Sequence, residues 1–383
     1  MSGALDGIVV ADFSRVLAGP YATMLLADLG ATVIKIERPG SGDDTRGWGP
    51  PWGPDGASTY FTGVNRNKRS LTLDLHDPRD RSRARTLAEQ VDVVISNFAP
   101  GTMESFALGY ADLIAANPSV LYCTISGFGD GPGADMPGYD LMVQAMGGLM
   151  SITGTDEPAK AGVAVVDVLT GLHASVGILA ALHHRDRTGQ GQHIEVSLLS
   201  ALLSSLVNQS AAFVGAGSVP TRMGNAHPSI CPYEVYATRD RGLVIAVGND
   251  TQFQRLANLL EHPHLADDPR FSTNSQRVVN RPDLNAIIGP VLLTRTADEW
   301  HTSLLAAGIP NGPINDLSQA FALADRLDLH PTTTISGPRG SQHHVCNPTQ
   351  YSHTPTGYLL AAPALGQHTH EIITEFNLDG VPQ

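Results

Sequence analysis

The first third of the chain alternates short apolar runs with stretches whose apolar positions recur at helical spacing. Residues 8–13 are an apolar run typical of a strand, a helical pattern then begins at Pro20 and ends at Gly30, and residues 32–36 form a second apolar run. A strand, a helix and a strand within about 30 residues form a βαβ unit, whose strands are parallel and whose crossover is right-handed. The pattern therefore predicts an α/β domain.

Further predicted strands and helices alternate up to about residue 213. The predicted strands are 71–75, 91–96, 120–125 and 193–196, and the predicted helices begin near Pro78 and Pro100, cover 167–187 and extend from 197 to about 213. Residues 127–138 are rich in glycine and proline, which indicates a loop. Repeated units of this kind predict one parallel sheet with helices packed against it.

The pattern changes after a loop at 215–232. A β-hairpin is predicted from 233–238 and 243–247, and several amphipathic helices follow up to about Arg326. We therefore predict an α/β fold with two domains: a large Rossmann-like domain with a parallel sheet from residues 1–225 and 328–383, and a smaller α+β domain from 226–327.

Charge and cysteine usage narrow the class of protein. The chain has 37 acidic residues against 24 Lys and Arg, so its net charge of −13 disfavours a nucleic-acid partner. The three cysteines, Cys123, Cys231 and Cys346, are widely spaced, which is typical of a reducing compartment. The N-terminal residues lack the basic region typical of a secretory signal, since the first positive charge is Arg15, and the apolar stretches are too short or too rich in serine to span a bilayer. We expect a cytoplasmic protein without a membrane partner.

The usual cofactor motifs are missing from the sequence. The loop 14–20 lies where a Rossmann fold places its phosphate-binding glycines, yet it has one glycine and no GxGxxG pattern. No Walker A motif and no GxSxG elbow occurs. The 15 histidines show no standard zinc spacing with a carboxylate partner. The sequence therefore predicts no metal and disfavours a nicotinamide or flavin site.

Asp167 is the residue with the most suggestive position. It follows the apolar run 163–166 and begins an amphipathic helix, so we expect its side chain at the N-cap, where a strand meets a helix. Capping is the ordinary role of such an aspartate. The alternative is a nucleophilic carboxylate at the carboxyl edge of the sheet, where open α/β folds bind their ligands.

Ten short strings occur in a fixed order along almost the whole chain. They are LDGIVVADF (5–13), AGP (18–20), LGATVIKIE (29–37), GSGD (40–43), NRNKRS (65–70), NFAPG (97–101), GYD (138–140), TGQGQ (188–192), GIP (308–310) and LGQHT (365–369). In order and spacing they resemble the class III CoA-transferase family. That family includes formyl-CoA:oxalate and carnitine CoA-transferases and, as a divergent branch, the α-methylacyl-CoA racemases.

The resemblance implies an activity and a nucleophile. Asp167 matches the family's catalytic aspartate, which attacks an acyl-CoA to give a mixed anhydride and then an aspartyl-CoA thioester, from which an acceptor acid takes the CoA. Asp140 matches an acid that lies near the nucleophile. CoA is then a substrate, no tightly bound cofactor is needed, and backbone N–H donors near the helix start are expected to stabilise the oxyanion.

The resemblance also implies where CoA binds. The matching residues are Val16, Leu17 and Ala18 in the first loop, Arg38 as a phosphate contact, Asn97 and Phe98 on the adenine side, and Tyr139 beside Asp140. A basic stretch, Arg66, Lys68 and Arg69, also matches, but the sequence leaves open which of these faces a phosphate. Ser105 and Pro137 replace basic residues of the formyl enzymes, so Arg38 needs help from other cations.

Two other functions remain open at this point. The first is an α-methylacyl-CoA racemase, but Tyr139 replaces the histidine base of that branch, and a phenol with a pKa near 10 is a poor base at neutral pH. The second is a non-catalytic acyl-CoA binding protein, which the presence of Asp167 disfavours. The resemblance implies an interlocked homodimer, with an acyl-CoA and a small carboxylic acid as partners, while the acid itself is not identified.

Overall fold

The computed structural model describes residues 3–380. Its strands are β1 (Val9–Asp12), β2 (Thr32–Glu37), β3 (Lys68–Thr72), β4 (Val93–Ser96), β5 (Leu121–Ser126), β6 (Gln192–Ser197), β7 (Tyr233–Ala237), β8 (Gly242–Ala246), β9 (Asn311–Pro313), β10 (Thr332–Gly337) and β11 (Gly340–Val345).

The helices alternate with the strands as far as β6. They are α1 (Ala18–Asp28), α2 (Thr59–Gly63), α3 (Pro78–Ala88), α4 (Thr102–Ser105), α5 (Tyr110–Ile114), α6 (Asp140–Met146), α7 (Leu149–Ile152), α8 (Val165–Thr188), α9 (Leu198–Ser205), α10 (Val207–Ala216), α11 (Asp250–Leu259), α12 (Asn274–Val279), α13 (Arg281–Leu292), α14 (Ala297–Ala306), α15 (Leu317–Arg326) and α16 (Thr369–Glu375). Short 3-10 helices occupy Asp44–Gly47 and Pro263–Ala266.

The described chain divides into two compact units. The larger comprises residues 3–149, 160–219 and 330–380, and the smaller comprises 150–159 and 220–329. Residues 150–159 lie far from the rest of the smaller unit in sequence, but they join it through hydrogen bonds such as that from Gly224 N to Gly154 O, at 3.1 Å. The smaller unit therefore also contains residues outside the predicted small domain, 226–327.

The larger unit has a six-stranded parallel sheet in the order β3-β2-β1-β4-β5-β6. Val10 of β1 is in register with Val33 on one side and with Val93 on the other, so the chain reverses its direction of strand addition between β1 and β4. This order is that of a Rossmann fold, and it opens a crevice at the carboxyl ends of β1 and β4. The predicted fold class, α/β with a parallel sheet, is confirmed.

Helices cover both faces of the sheet with apolar side chains. On one face α1 and α8 pack on the sheet through residues such as Ala22, Leu26 and Ile178. Gly171 of α8 lies so close to α1 that a Cβ there would stand 2.6 Å from the carbonyl oxygen of Ala18. By length and composition α8 is apolar enough to cross a membrane, but Ile178 is fully buried, as in a core helix. α8 therefore lies close beside the loop that follows β1.

Two predicted elements differ from the structure. β3 covers Lys68–Thr72 rather than 71–75, because its first residue is a fully buried lysine that an apolar pattern cannot reveal. The helix expected from 197 to about 213 is broken into α9 and α10, which meet at 85°. Val207 at the break has a positive φ of 39°, which ends the regular helix. The hairpin β10–β11 and helix α16 were not predicted.

The smaller unit is an α+β structure of its own. β7, β8 and β9 form an antiparallel sheet, with Ile245 of β8 in register with Glu234 and with Asn311. Helices α11, α13 and α14 pack on this sheet around Phe253 and Trp300, which are buried.

Candidate active site

Asp167 lies inside helix α8 and not at its cap. The helix begins at Val165, and the N-cap is Ala164, whose side chain makes no capping hydrogen bond. Residues 160–164 are irregular, so no strand leads into the helix. The expectation of an N-cap aspartate at a strand-to-helix junction is therefore wrong. Asp167 stands in the first turn, where the helix dipole favours a carboxylate but does not outweigh the burial and the neighbouring charge that raise its pKa.

The cap of α8 comes from another helix. Oδ1 of Asp140, the first residue of α6, accepts hydrogen bonds from the backbone N–H groups of Val166 at 2.8 Å and of Asp167 at 3.3 Å. Nε2 of Gln144 donates to the other oxygen of Asp140 at 2.6 Å. The side chain of Asp140, 26 residues before Val166, thus caps α8, which is the role that the sequence predicted for Asp167. This contact brings the two candidate catalytic acids together.

The first turn of α8 has no unpaired N–H group for an oxyanion. Besides the two N–H groups that Asp140 takes, the N–H of Val165 bonds to Val163 O at 2.8 Å and that of Val168 to Ala164 O at 3.2 Å. The expectation that donors near this helix start stabilise the oxyanion is wrong for these four groups, because each already has a partner.

The environment of Asp167 favours its neutral form. Burial raises its pKa to about 7, and the negative charge of Asp140 adds to the effect. Tyr60 shows the same surplus of negative charge, since burial together with Asp167, Asp140 and Asp43 raises its pKa to about 12. Asp167 therefore titrates near neutral pH, which is unusual for a carboxyl group and typical of functional sites.

The first loop packs directly on the start of α8. Leu17 is buried in a small apolar cluster that also contains Ala164 and Val168, and Val16 packs against it. Oδ1 of Asn97 accepts the backbone N–H of Arg15 at 2.8 Å, and its Nδ2 donates to the carbonyl of Arg15 at 2.7 Å. Asn97 thus ties the ends of β1 and β4 together across the crevice.

A cavity of about 160 Å³ holds the candidate nucleophile. Its lining includes Ala18, Asn97, Phe98 and Asp167, so three of the residues expected to bind CoA lie in one cavity with the residue expected to accept it. Much of the rest of the wall comes from the loop 127–138. A Cβ on Gly127 would stand 2.5 Å from the Cα of Gly138, so the two ends of this loop can meet only as glycines.

A larger cavity of about 490 Å³ adjoins the first, and both are lined by Phe98 and Ala99. Arg15 and Arg38 line it, and Arg15 lies over the Phe98 ring with 5.0 Å to its centroid. Both guanidinium groups contact the carboxylate of Asp44, Arg15 at 3.6 Å. The other walls include the apolar side chains of Phe13, Ile36, Leu73, Leu75 and Phe106 and the acidic residues Glu37, Asp43 and Asp74. Two half-exposed cations and an apolar slot suit a ligand with phosphates and a flat ring system.

The basic stretch matched by resemblance does not reach these cavities. Arg66 pairs with Asp28 at 2.5 Å, Lys68 pairs with Asp12 at 3.1 Å, and Arg69 pairs with Glu375 at 2.7 Å. Arg66 and Lys68 are buried. None of the three residues lines either cavity, and each forms an ion pair with another part of the fold.

Tyr139 is 62% exposed at the N-cap of α6 and lines neither cavity.

Three residues of the site were missed from the sequence. Arg15 could have been found as the positive charge next to Val16. Asp43 belongs to one of the matched strings but received no role, and no sequence signal distinguishes Tyr60. Among the described residues 3–380, no group of three or more His, Cys, Asp or Glu side chains could hold a metal ion.

Comparison with known proteins gives consistent matches. The model of the family described as CoA-transferase family III matches residues 5–369. The succinate–glutarate CoA-transferase of Agrobacterium fabrum is 42% identical over 97% of this chain and 95% of that protein. The acetyl-CoA:oxalate CoA-transferase of Acetobacter aceti is 40% identical over 84% of this chain and 83% of that protein. The crystal structure of a CAIB/BAIF family protein from Brucella suis superposes with a TM-score of 0.87, at 40% identity over 98% of this chain and all of that one.

Proposed function

We propose that this chain, which belongs to CoA-transferase family III, moves CoA from an acyl-CoA to a small carboxylic acid through a covalent intermediate on Asp167. The family and its relatives make the chain a CoA-transferase. The observation that carries the covalent mechanism is the place of Asp167: its carboxylate lines a cavity that adjoins the arginine-lined one, and its pKa is about 7.

The reaction divides into steps that each conserve an activated acyl group. The Asp167 carboxylate attacks the thioester carbonyl, the carbon–sulfur bond breaks, and CoA leaves as a thiolate, which gives a mixed anhydride of Asp167 and the donor acid. The thiolate then attacks the aspartyl carbonyl, which releases the donor acid and leaves an aspartyl-CoA thioester. The acceptor carboxylate attacks that thioester, and the returning thiolate takes the acceptor acyl group, so Asp167 is free again.

Asp140 has two roles in this scheme. Its Oδ1 holds the backbone of the first turn of α8, so the nucleophile is attached to a fixed point. Its charge also helps to raise the pKa of Asp167 to about 7, although burial is the larger cause. A carboxylate with a pKa of about 7 is both present in its ionised form at neutral pH and more nucleophilic than an ordinary aspartate.

CoA would extend between the two cavities. In this proposal Arg15 and Arg38, which line the larger cavity, contact its phosphates, and the adenine lies in the apolar slot beside them. The thioester would then lie in the cavity with Ala18 and Asp167, past Phe98. Asn97 acts here mainly by holding the loop at Arg15, since both polar atoms of its amide are bonded to that backbone.

We further propose a dicarboxylic acid as the acceptor. One of the two relatives described above is named for succinate and glutarate, and the other for acetyl-CoA and oxalate. Glutarate and oxalate differ in length but share two carboxylates. Succinyl-CoA and acetyl-CoA are therefore the first donors to try, with glutarate and oxalate as acceptors.

A homodimer in the cytoplasm is part of the proposal. Helices α8 and α10 leave large apolar side chains uncovered: Val176 is 64% exposed and Val214 is 83% exposed. Monomers seldom expose such faces, so a second copy of the chain is their proposed cover. The three cysteines are free thiols, which agrees with a reducing compartment.

The proposal is tested by transfer kinetics. Purified enzyme is mixed with succinyl-CoA or acetyl-CoA and with glutarate or oxalate, and each CoA species is separated and quantified. We expect a new thioester to form as the donor is consumed, and Asp167→Asn to lower the rate by at least about a thousandfold. If Asp167→Asn kept more than about a tenth of the wild-type transfer rate, Asp167 could not be the nucleophile.

A further inference from the structure

Four charged side chains, Asp12, Lys35, Asp43 and Lys68, are buried beneath the loop that joins β1 to α1, each at most 1% exposed. They form two ion pairs. Lys35 Nζ lies 2.9 Å from Asp43 Oδ2, and Lys68 Nζ lies 3.1 Å from Asp12 Oδ2. Ion pairs in a protein core cost desolvation, and well-packed apolar residues often serve stability equally well. Their burial under this loop points to a role other than stability.

The Lys35–Asp43 pair is bonded to the loop itself. Lys35 Nζ donates to the carbonyl of Ser14 at 2.9 Å, and the Asp43 carboxylate accepts the backbone N–H of Val16 at 3.2 Å. Asp43 is fixed in turn by the backbone N–H of Thr45 at 3.0 Å and by its hydroxyl at 2.8 Å. The buried pair therefore bonds to two backbone groups of the loop, the carbonyl of Ser14 and the N–H of Val16.

Val16 needs such a hold. Its φ is +70°, a left-handed conformation that is unfavourable for a β-branched residue. A residue stays in such a conformation only where its surroundings enforce it, and such residues cluster at functional sites. The Asp43 carboxylate supplies an acceptor for the N–H that this conformation turns into the core. Burial is the largest single influence and raises the pKa of Asp43, but the charge and hydrogen bond of Lys35 together with the hydrogen bonds from Thr45 outweigh it and lower the pKa to about 2, so the acceptor is ionised at neutral pH.

We propose that the buried Lys35–Asp43 pair is a positioning device that holds Val16 in its left-handed conformation and thereby aligns the 14–18 loop beside Asp167. The inference rests on the proposed function, because it gives a task to residues under that site. In this scheme Lys35 and Asp43 bind no substrate, because Lys35 is fully buried and Asp43, although it lines the arginine-lined cavity, is only 1% exposed. They act through the loop, whose Ala18 lines the nucleophile's cavity and whose Leu17 packs on the start of α8.

The first test is Asp43→Asn, which keeps the size of the side chain but removes its charge. We expect kcat to fall about tenfold or more, because small displacements of reacting groups are costly, while the KM for acyl-CoA changes less than about threefold. The phosphate-facing arginines are left in place. A loss confined to KM would contradict alignment of the reacting groups.

A matched control separates alignment from stability. Asp28→Asn breaks another buried ion pair, that with Arg66, at the far end of α1 from Val16. We expect it to lower the unfolding temperature comparably and to leave kcat within about twofold of wild type. Equal kcat values for the Asp43 and Asp28 variants, with transfer intact in wild type, would overturn the inference alone. Absence of transfer in wild type would instead defeat the proposed function.

The second test is rescue. Asparagine adopts the left-handed conformation several times more readily than valine, so Val16→Asn relieves the need for the anchor. We compare the factor by which Asp43→Asn reduces kcat in the two backgrounds. We expect this factor to be at least about three times smaller in the Val16→Asn background than in the native one. An equal loss in both backgrounds would overturn the inference. Should the Asp43 variant not fold, Thr45→Val decides: it removes one bond to Asp43, and an unchanged kcat would overturn the inference.

Discussion

The backbone N–H of Asp167 donates to Oδ1 of Asp140 at 3.3 Å, so one carboxylate lies at the start of the helix that carries the other. Two like charges this close raise the pKa of one of them, and the structure gives that shift to Asp167, with burial as the larger cause. The pair explains how an aspartate can titrate near pH 7, and it makes the pH dependence of the reaction a direct test of the site.

Asp140→Asn should shift the pH profile to lower pH. The amide oxygen can still cap α8, but the neighbouring charge is gone, so the pKa of Asp167 falls from about 7. In wild type kcat/KM should rise as the pH increases through about 7, and in the variant the same rise should occur at least about half a pH unit lower. Steady-state rates from about pH 5 to 9 measure both midpoints.

Titration of CoA itself affects both proteins equally, so the difference between the midpoints is the quantity to compare. Identical midpoints would show that Asp140 does not set the ionisation of Asp167.

Asp167→Asn should stabilise the folded protein at neutral and higher pH. The pKa of Asp167 is about 7 in the folded state against 3.8 in the unfolded chain. Its ionisation therefore destabilises the fold progressively as the pH rises from about 4 to about 7, and an amide avoids that cost. We expect a gain of about 1–3 kcal/mol at about pH 8 that shrinks towards zero near pH 4. Urea unfolding at several pH values measures it, and a gain that does not vary with pH would contradict the raised pKa.

Arg38→Gln should weaken acyl-CoA binding with little effect on the chemical step. A hydrogen bond between a guanidinium and a phosphate is worth enough that its loss should raise KM about tenfold or more, and kcat should stay within about threefold. Arg15→Gln should act in the same direction. Arg79→Gln, an exposed arginine on α3 that pairs with Asp379, is the control and should change neither constant.

The KM of wild type should also rise with salt, and that of the Arg38 variant should rise less steeply. A KM that Arg38→Gln leaves unchanged would remove this residue from the CoA site.

Arg66→Gln should affect stability and not binding. Arg66 is buried against Asp28, and its loss leaves a buried carboxylate without its charge partner. We expect the free energy of unfolding to fall by about 3–5 kcal/mol and KM for acyl-CoA to stay within about threefold. Urea unfolding and steady-state kinetics on the same preparation decide the matter. A rise in KM like that of the Arg38 variant would show that the basic stretch does reach CoA.

Most of the parallel sheet could be predicted because its strands are buried on both faces and read as apolar runs. β4, which covers Val93–Ser96 and is buried throughout, is such a strand. β3 was shifted by three residues because Lys68, a fully buried charge with partners on other elements, looks like a surface residue in the sequence. The break between α9 and α10 escaped prediction because no glycine or proline stands at Val207.

The site shows a sharper limit. Resemblance led to Asp167 and Asp140, but the local pattern suggested the wrong local geometry, a cap on Asp167. The true cap is a tertiary contact across 26 residues, which no local pattern contains. The role of the Lys35–Asp43 pair also depends on a tertiary contact. Its two residues are close in sequence, but only the fold brings Asp43 to the backbone N–H of Val16.

The most direct test of the account is the intact mass of the protein after incubation with succinyl-CoA or acetyl-CoA. We predict an adduct equal to CoA less one water, mapped to the peptide that contains Asp167, removed by borohydride reduction and absent from Asp167→Asn. An enzyme that binds the donor and transfers CoA without that adduct would contradict the covalent mechanism. Exchange of the donor's α-proton in deuterated water, without transfer to any acid, would contradict the transferase itself.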